Sequence, residues 1–308
     1  MRTFLRNGVG MVTCDKWEPN CWINIVKPTS QDKAYLINTL DVPLAFYEDI
    51  EDVDERPRVE IEDGWCLVLM RIPYKVQNAN GTFSTVPLGV IFKDDIFVSV
   101  CFYQTDIVSD FIQYTRRKQI NKTDNINFVF RLLLSSSIWF LKYLKSINAQ
   151  IKAAERELEI SVDNDDLKTL SNLDRTLVYF TSALRGNEIL THKLKNMRGI
   201  KEVYDPDLVE DVEIESKQAL ETTNIYATIL NSTLETYATV ISNNLNMVMK
   251  RLTSINVILM LPTLIASFFG MNLEIGSTIF NWWFYTAVFV SLVLTAFSVL
   301  FFFKKKWF

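Results

Sequence analysis

Charge is absent from two long stretches near the C-terminal end of the chain. No residue from 252 to 273 is charged, nor any from 275 to 303, and Glu274 alone separates the two runs. A helix needs about 20 apolar residues to cross a hydrocarbon layer of about 30 Å, so each run is long enough to span a membrane. The polar residues Asn272, Glu274, Gly276, Ser277, Thr278 and Asn281 predict a short turn between two antiparallel helices. Residues 132–141 are also apolar or hydroxylic. That run is too short to span and reads as a helix buried in a soluble domain.

Upstream, the pattern is first β-like and then helical. Segments 59–62 and 65–72 read as strands around Asp63-Gly64, and 88–92 and 96–102 as a second pair flanking Lys93-Asp94-Asp95. Helical spacing at about 30–40 and 43–51 interrupts the earlier strands. After Thr105 the β signals fade, and the acidic stretch through Asp163, Asn164, Asp165 and Asp166 predicts a turn between two long helices. From Asp207 to Gly270 the one proline is Pro262, and no glycine precedes the end. A single helix over that length would extend about 90 Å at 1.5 Å per residue.

The predicted fold class is an α+β membrane protein: a cytoplasmic α/β domain, a long helical stalk and two C-terminal transmembrane helices. The boundaries are an α/β domain over 1–120, long antiparallel helices over 121–206 and a stalk over 207–251. A first span over 252–273, an external loop over 274–281, a second span over 282–303 and a basic tail over 304–308 follow.

Basic residues orient the spans. Lys250 and Arg251 precede the first, Lys304, Lys305 and Lys306 follow the second, and the loop between has neither Lys nor Arg. The positive-inside rule then places both termini in the cytoplasm, with the spans in the cell membrane. Trp282 and Trp283 at one end and Trp307 and Phe308 at the other suit interfacial aromatic belts.

The remaining composition excludes more than it adds. A net charge of −4 argues against a nucleic-acid-binding face. Met1 to Gly8 contain no uninterrupted apolar core, so no secretory leader is expected. Cys14, Cys21, Cys66 and Cys101 lack metal-site spacing and read as reduced, mostly buried thiols. There is no phosphate-binding GxxxxGK[ST] loop, and Gly8-Val9-Gly10 opens a dinucleotide fingerprint that fails at Thr13. His192, the single histidine, reads as a solvated residue on a polar helix. No catalytic apparatus and no cofactor is expected.

The first span carries one further pattern. Thr253, Asn256, Met260, Thr263, Ser267 and Gly270 step by three or four residues, and Met249, Asn246, Ser242, Thr239 and Glu235 extend the series backwards. Such spacing puts these residues on one stripe of one helix. Two readings stand: a small-and-polar packing seam, or a water-facing pore wall. The second span offers Thr286, Ser291, Thr295 and Ser298 and no amide after Asn281. That is little for amides to bind, which favours the pore wall. One stripe cannot enclose a pore, so several copies of the chain would have to surround an axis.

Gly270-Met271-Asn272, at the outer end of the first of two terminal spans, resembles the signature of the CorA family of Mg2+ transport proteins. Met247-Val248-Met249-Lys250, Leu261-Pro262-Thr263 and the closing Lys304-Lys305-Lys306-Trp307 lie where that family has similar segments, and Val42-Pro43-Leu44 with Arg56-Pro57-Arg58-Val59-Glu60 resembles its cytoplasmic domain. The resemblance implies a homopentamer that admits Mg2+ passively, with Co2+ and Ni2+ as further candidates. It implies an outer ion ring of Asn272 and the Gly270 carbonyl, polar rings at Thr263 and Asn246, and a hydrophobic constriction at Met249, Leu252 and Met260. Asn256 departs from the small apolar residue usual in the family. Mg2+ would also act as regulator, with Asp211 and Glu210 at a cytoplasmic site, although a solvated helix face explains those two acids equally well. The acid expected opposite them is missing, since its position falls near Lys75 after Tyr74. A transporter of Zn2+ or another divalent cation on the same scaffold, and a membrane-anchored sensor or scaffold, are the alternatives. Met271 favours the Mg2+ branch.

Overall fold

β-Branched and aromatic residues dominate the strands of the first third, where both sheet faces are covered and alternate residues point into two different cores. The computed structural model describes residues 1–76, 82–160, 164–197, 204–270, 278–305 and 307. They fall into two compact units, Met1–Thr233 and Leu234–Phe308.

The first unit is built on a sheet of seven strands: β1 (Arg2–Gly8), β2 (Gly10–Cys14), β3 (Trp22–Val26), β4 (Arg58–Glu62), β5 (Trp65–Lys75), β6 (Phe83–Lys93) and β7 (Ile96–Cys101). Their order is β2-β1-β3-β7-β6-β5-β4. The β3–β7 pairing, with Trp22 opposite Phe97, is parallel, whereas the other pairings are antiparallel. The expected turns at Asp63-Gly64 and Asp94-Asp95 join β4 to β5 and β6 to β7. Asp63, Gly64 and Asp94 adopt the positive φ that such tight hairpins require. β6 begins at Phe83, earlier than expected, because Ser84, Thr85 and Pro87 mask its alternation.

β1 to β3 are not apparent from hydrophobic runs, since polar residues interrupt each of them. The failed dinucleotide fingerprint is the turn between β1 and β2, where Gly8 pairs with Gly10 across Val9. Gly10 has φ +73°, and its Cα lies so close to Thr115 and Arg116 that an added Cβ would overlap their backbone.

One face of the sheet is covered by α1 (Ser30–Ala34), a π-helical turn (Tyr35–Thr39) and α2 (Leu44–Glu51). Leu36, Phe46 and Ile50 bury there against Ile23, Leu67, Ile91 and Val98. The other face carries α3 (Asp106–Lys118), α4 (Asn125–Ile160) and α5 (Asn164–Asn196). On that side Trp22 meets Phe111 and Phe128 edge-on, and its indole N–H donates to Ser99 Oγ at 2.7 Å. Ser99 Oγ in turn donates to Asn24 Oδ1 at 2.9 Å. The 132–141 run lies inside α4, where Leu132, Leu133 and Phe140 are buried as expected for a soluble helix.

The helix α6 runs unbroken over Pro206–Gly270 despite Pro262, and α7 covers Thr278–Lys304. In the part of α6 within the first unit, Val209, Val212, Ser216, Ala219 and Thr223 are buried at three-to-four spacing, and Leu230 is buried two turns further on. Thr233 Oγ1 donates to Glu155 Oε1 at 2.9 Å. Both 206–268 and 284–304 contain stretches long and apolar enough to cross a membrane, with hydropathies of 1.5 and 2.4.

Candidate ion pathway

Burial in the second unit divides α6 into two faces. Ser254 of α6 and Phe302 of α7 are the buried residues there among those described. Ile258, Leu261, Pro262 and Ile265 on α6, and Ala287, Ser291, Thr295 and Ser298 on α7, are partly shielded. Each set follows helical spacing along its own helix. The hydroxyls of Thr295 and Ser298 bond to carbonyls of their own helix, from Ser291 and Leu294, so they need no polar partner on α6.

The stripe lies on the other side. At about 100° per residue, Asn256, Met260, Thr263, Ser267 and Gly270 centre roughly opposite Ser254, Ile258, Leu261 and Ile265, with Leu252 on the same side and Thr253 towards one edge of the stripe. Asn246, Asn256, Thr263 and Ser267 are exposed, as are Met249, Leu252 and Met260, the last at 69 %. Ser254, Ile258, Leu261 and Ile265 are thus the shielded residues of this part of α6, and the stripe is not among them. Thr253 and Thr263 donate their hydroxyl hydrogens to Met249 O at 2.7 Å and Leu259 O at 2.9 Å, leaving oxygen lone pairs directed away from the helix. Gly270 closes α6 with nothing within 4 Å of a would-be Cβ. Met271 and Asn272 lie outside the described residues.

Glu210 and Asp211 occupy the start of α6 and are exposed. Lys75, at the end of β5, is exposed as well. Nearby, Lys195 Nζ donates to Glu213 at 2.9 Å, and this bond raises the lysine pKa. His192 Nδ1 stands 3.9 Å from Glu213 with its side chain 59 % exposed, a solvated position. No group of three or more His, Cys, Asp or Glu side chains that could hold a metal occurs among the described residues. Three of the four free thiols, Cys21, Cys66 and Cys101, are buried.

A family model described as "CorA-like Mg2+ transporter protein" matches residues 17–305. The chain belongs to the CorA-like Mg2+ transporter family. Curated CorA relatives include the cobalt/magnesium transport protein CorA of Thermotoga maritima, 24 % identical over 93 % of this chain and 83 % of that protein. The protein of the same name from Methanocaldococcus jannaschii is 20 % identical over 89 % of this chain and 87 % of its own length. The complete structure of the CorA magnesium transporter from M. jannaschii superposes with a TM-score of 0.83 at 18 % identity, covering 100 % of this chain and 99 % of that one. The CorA fold thus accounts for the sheet domain, the long helix and the two apolar C-terminal helices.

The β1–β2 hairpin and the parallel β3–β7 pairing were not read from sequence. Gly8 and Gly10 around an exposed Val9 were the available signal for the former.

Proposed function

We propose that this chain assembles as a homopentamer and admits Mg2+ passively, with Co2+ and Ni2+ as further substrates, through a pore lined by the stripe of α6. The observation that carries this reading is the position of that stripe, exposed and opposite the shielded residues of α6. Lipid does not suit amides and hydroxyls, and α7 does not cover them. Copies of the same helix around a shared axis leave the stripe facing water. Both termini then lie in the cytoplasm, and the 271–277 connection lies outside.

Mg2+ gives up its water reluctantly and prefers octahedral geometry. A ring of Asn272 amides and Gly270 carbonyls can hydrogen-bond the hydrated ion without stripping it, and neutral oxygens release it more readily than carboxylates would. Met249, Leu252 and Met260 would form the closed gate by excluding water. Two charges moving down the membrane potential gain about 4.6 kcal/mol per 100 mV, from about 2.3 per charge, so ATP is unnecessary. Glu210 and Asp211 supply too few oxygens alone, and a regulatory Mg2+ there would need donors from a neighbouring subunit.

Uptake into proteoliposomes at fixed potential, compared across Mg2+, Co2+, Ni2+ and Zn2+, tests the reading. Potential-driven Mg2+ entry without ATP is expected. Absence of flux for every ion from a correctly assembled protein would leave the two spans as an anchor.

A further inference from the structure

The first unit contains a cleft of about 840 Å³ bounded by residues 54–57, by α5 and by α6. From α5 it takes Val178, Ser182, Arg185 and Ile189, which step by four, three and four residues and so share one helix face. α6 adds Ala227 and Asn231, and the sheet adds Arg71 of β5 and Thr85 of β6. None of these residues belongs to the stripe of the ion pathway.

Arg71 is fixed in place but not neutralised. It stands opposite Pro87 of β6, which has no N–H to give. Asn187 of α5 bonds to the Arg71 backbone instead: its Oδ1 accepts from Arg71 N–H at 2.9 Å, and its Nδ2 donates to Arg71 O at 2.7 Å. The guanidinium donates to Thr85 Oγ1 and O at 3.0 and 2.8 Å, and to the carbonyls of Val53 and Glu55 at 2.7 and 2.9 Å. None of those acceptors is a carboxylate. The same bonds pin the segment that carries Asp54 and Arg56. Pro57 then packs so closely on Gly186 that an added Cβ there would overlap its ring.

Two further arginines line the cleft. Arg56 and Arg185 are exposed, and neither side chain has an ion pair or hydrogen bond among the described residues. Of the acids in the lining, Glu55 is bonded to Arg58. Asp54 and Asp174 have no bonded cation among the described residues. Three arginines therefore face two unpaired carboxylates, beside the exposed apolar side chains of Val178, Tyr179 and Ile189. The volume falls in the range of small-molecule sites, about 300–1,000 Å³, and far exceeds that of a single phosphate.

We propose that this cleft binds a nucleoside polyphosphate as its Mg2+ complex. Arg56 and Arg185 take the phosphate oxygens, which planar guanidinium forks match in geometry. Asp54 and Asp174 hold the hydrated metal, since Mg2+ keeps several waters and is bound through one or two carboxylates together with phosphates. Tyr179 offers the base an aromatic face. The site does not depend on the pore reading, because it lies wholly in the first unit.

The test is a calorimetric titration of the assembled full-length protein in detergent with ATP at fixed free Mg2+. Each variant is matched to the wild type in oligomer size and thermal midpoint. Saturable binding of one ATP per chain is expected, weakened at least about tenfold in Arg56→Gln/Arg185→Gln. Tyr179→Ala should weaken ATP about fivefold or more and leave tripolyphosphate unchanged. Chelating Mg2+ should weaken ATP binding to the wild type but not to Asp54→Asn/Asp174→Asn. Absence of saturation, an unchanged affinity in the arginine variant, or displacement by inorganic phosphate as effective as by ATP would overturn the site. A Mg2+ dependence that survives in the Asn variant would overturn the role of the two carboxylates.

Discussion

Gly10 shows how much one residue without a side chain can determine. Its positive φ and its contact with the Thr115 and Arg116 backbone tie the β1–β2 hairpin to the end of α3. Gly10→Ala is expected to cost about 2–4 kcal/mol by combining backbone strain with overpacking, measured as a lowered thermal midpoint of the detergent-solubilised protein. Gly8, whose φ is ordinary and whose nearest neighbour is the movable Val12 side chain, should tolerate the same change far better. The thiols make a second residue-level case. Burial pushes Cys66 and Cys101 up to about 11 and raises Cys21 and Cys14 as well. A raised thiol pKa keeps the unreactive protonated form dominant at neutral pH and below. At pH 9 a thiol titrating at about 11 is only about 1 % thiolate. Mass-spectrometric mapping of maleimide adducts should therefore find Cys14, the partly exposed one, modified first, with Cys66 and Cys101 protected at pH 7.5 and at pH 9 until the protein unfolds. If the proposed outer ring holds, Asn272→Ala is expected to reduce Mg2+ uptake at least about tenfold with the oligomer intact, since it would remove an oxygen proposed to accept from the ion's water shell. Wild-type flux from that variant, assembled to the same size, would take Asn272 out of the selectivity site.

Helix α6 carries two different stripes in succession, and its elements were not all equally legible. Its length and its polar stripe could be read directly, because three-to-four spacing survives without knowledge of any partner. The burial of Val209, Val212, Ser216, Ala219 and Thr223 was harder to recognise, since small and hydroxylic residues mark a close approach without adding hydrophobicity. β3 was harder still. Its five residues include Asn24, which is polar but buried because Ser99 supplies its hydrogen bond. A satisfied polar residue in a core breaks the apolar run on which strand recognition depends. The shielded side of α6 in the second unit needed the structure, because Ile258, Leu261 and Ile265 do not differ in kind from their exposed apolar neighbours. On the proposed pathway, Met260→Ala and Leu252→Ala, each widening a proposed apolar ring, are expected to raise basal leak several-fold at high internal Mg2+. Conductance that stays at the wild-type level in both, and in the pair, would place the closed gate elsewhere on α6.

For the assembled molecule, the proposed outer-shell recognition has a direct chemical test. A hexa-ammine metal complex matches hydrated Mg2+ in size but cannot exchange its ligands, and its N–H groups donate as water does. It is expected to block external Mg2+ uptake competitively in vesicles held at fixed potential. A mouth that strips the ion would ignore the complex and prefer readily dehydrated cations. Failure of the complex to compete even in large excess would therefore reject recognition through intact water while leaving transport itself untouched.

The parallel pairing of β3 with β7 has a consequence during synthesis. β1, β2 and β3 leave the ribosome together and can pair among themselves, but the other edge of β3 belongs to a strand about 70 residues further on. At about 5–20 residues per second, that edge waits roughly 4–14 s for Ile96 to Cys101. Trp22 and Ile25, both fully buried at the end, lack part of their enclosure throughout the delay. The two C-terminal apolar helices are made later still, after the whole of the sheet and its covering helices, so the exposed edge of β3 is an aggregation hazard before they are. A chaperone that recognises short apolar strands should therefore engage β3 before either of the two C-terminal apolar helices has been made.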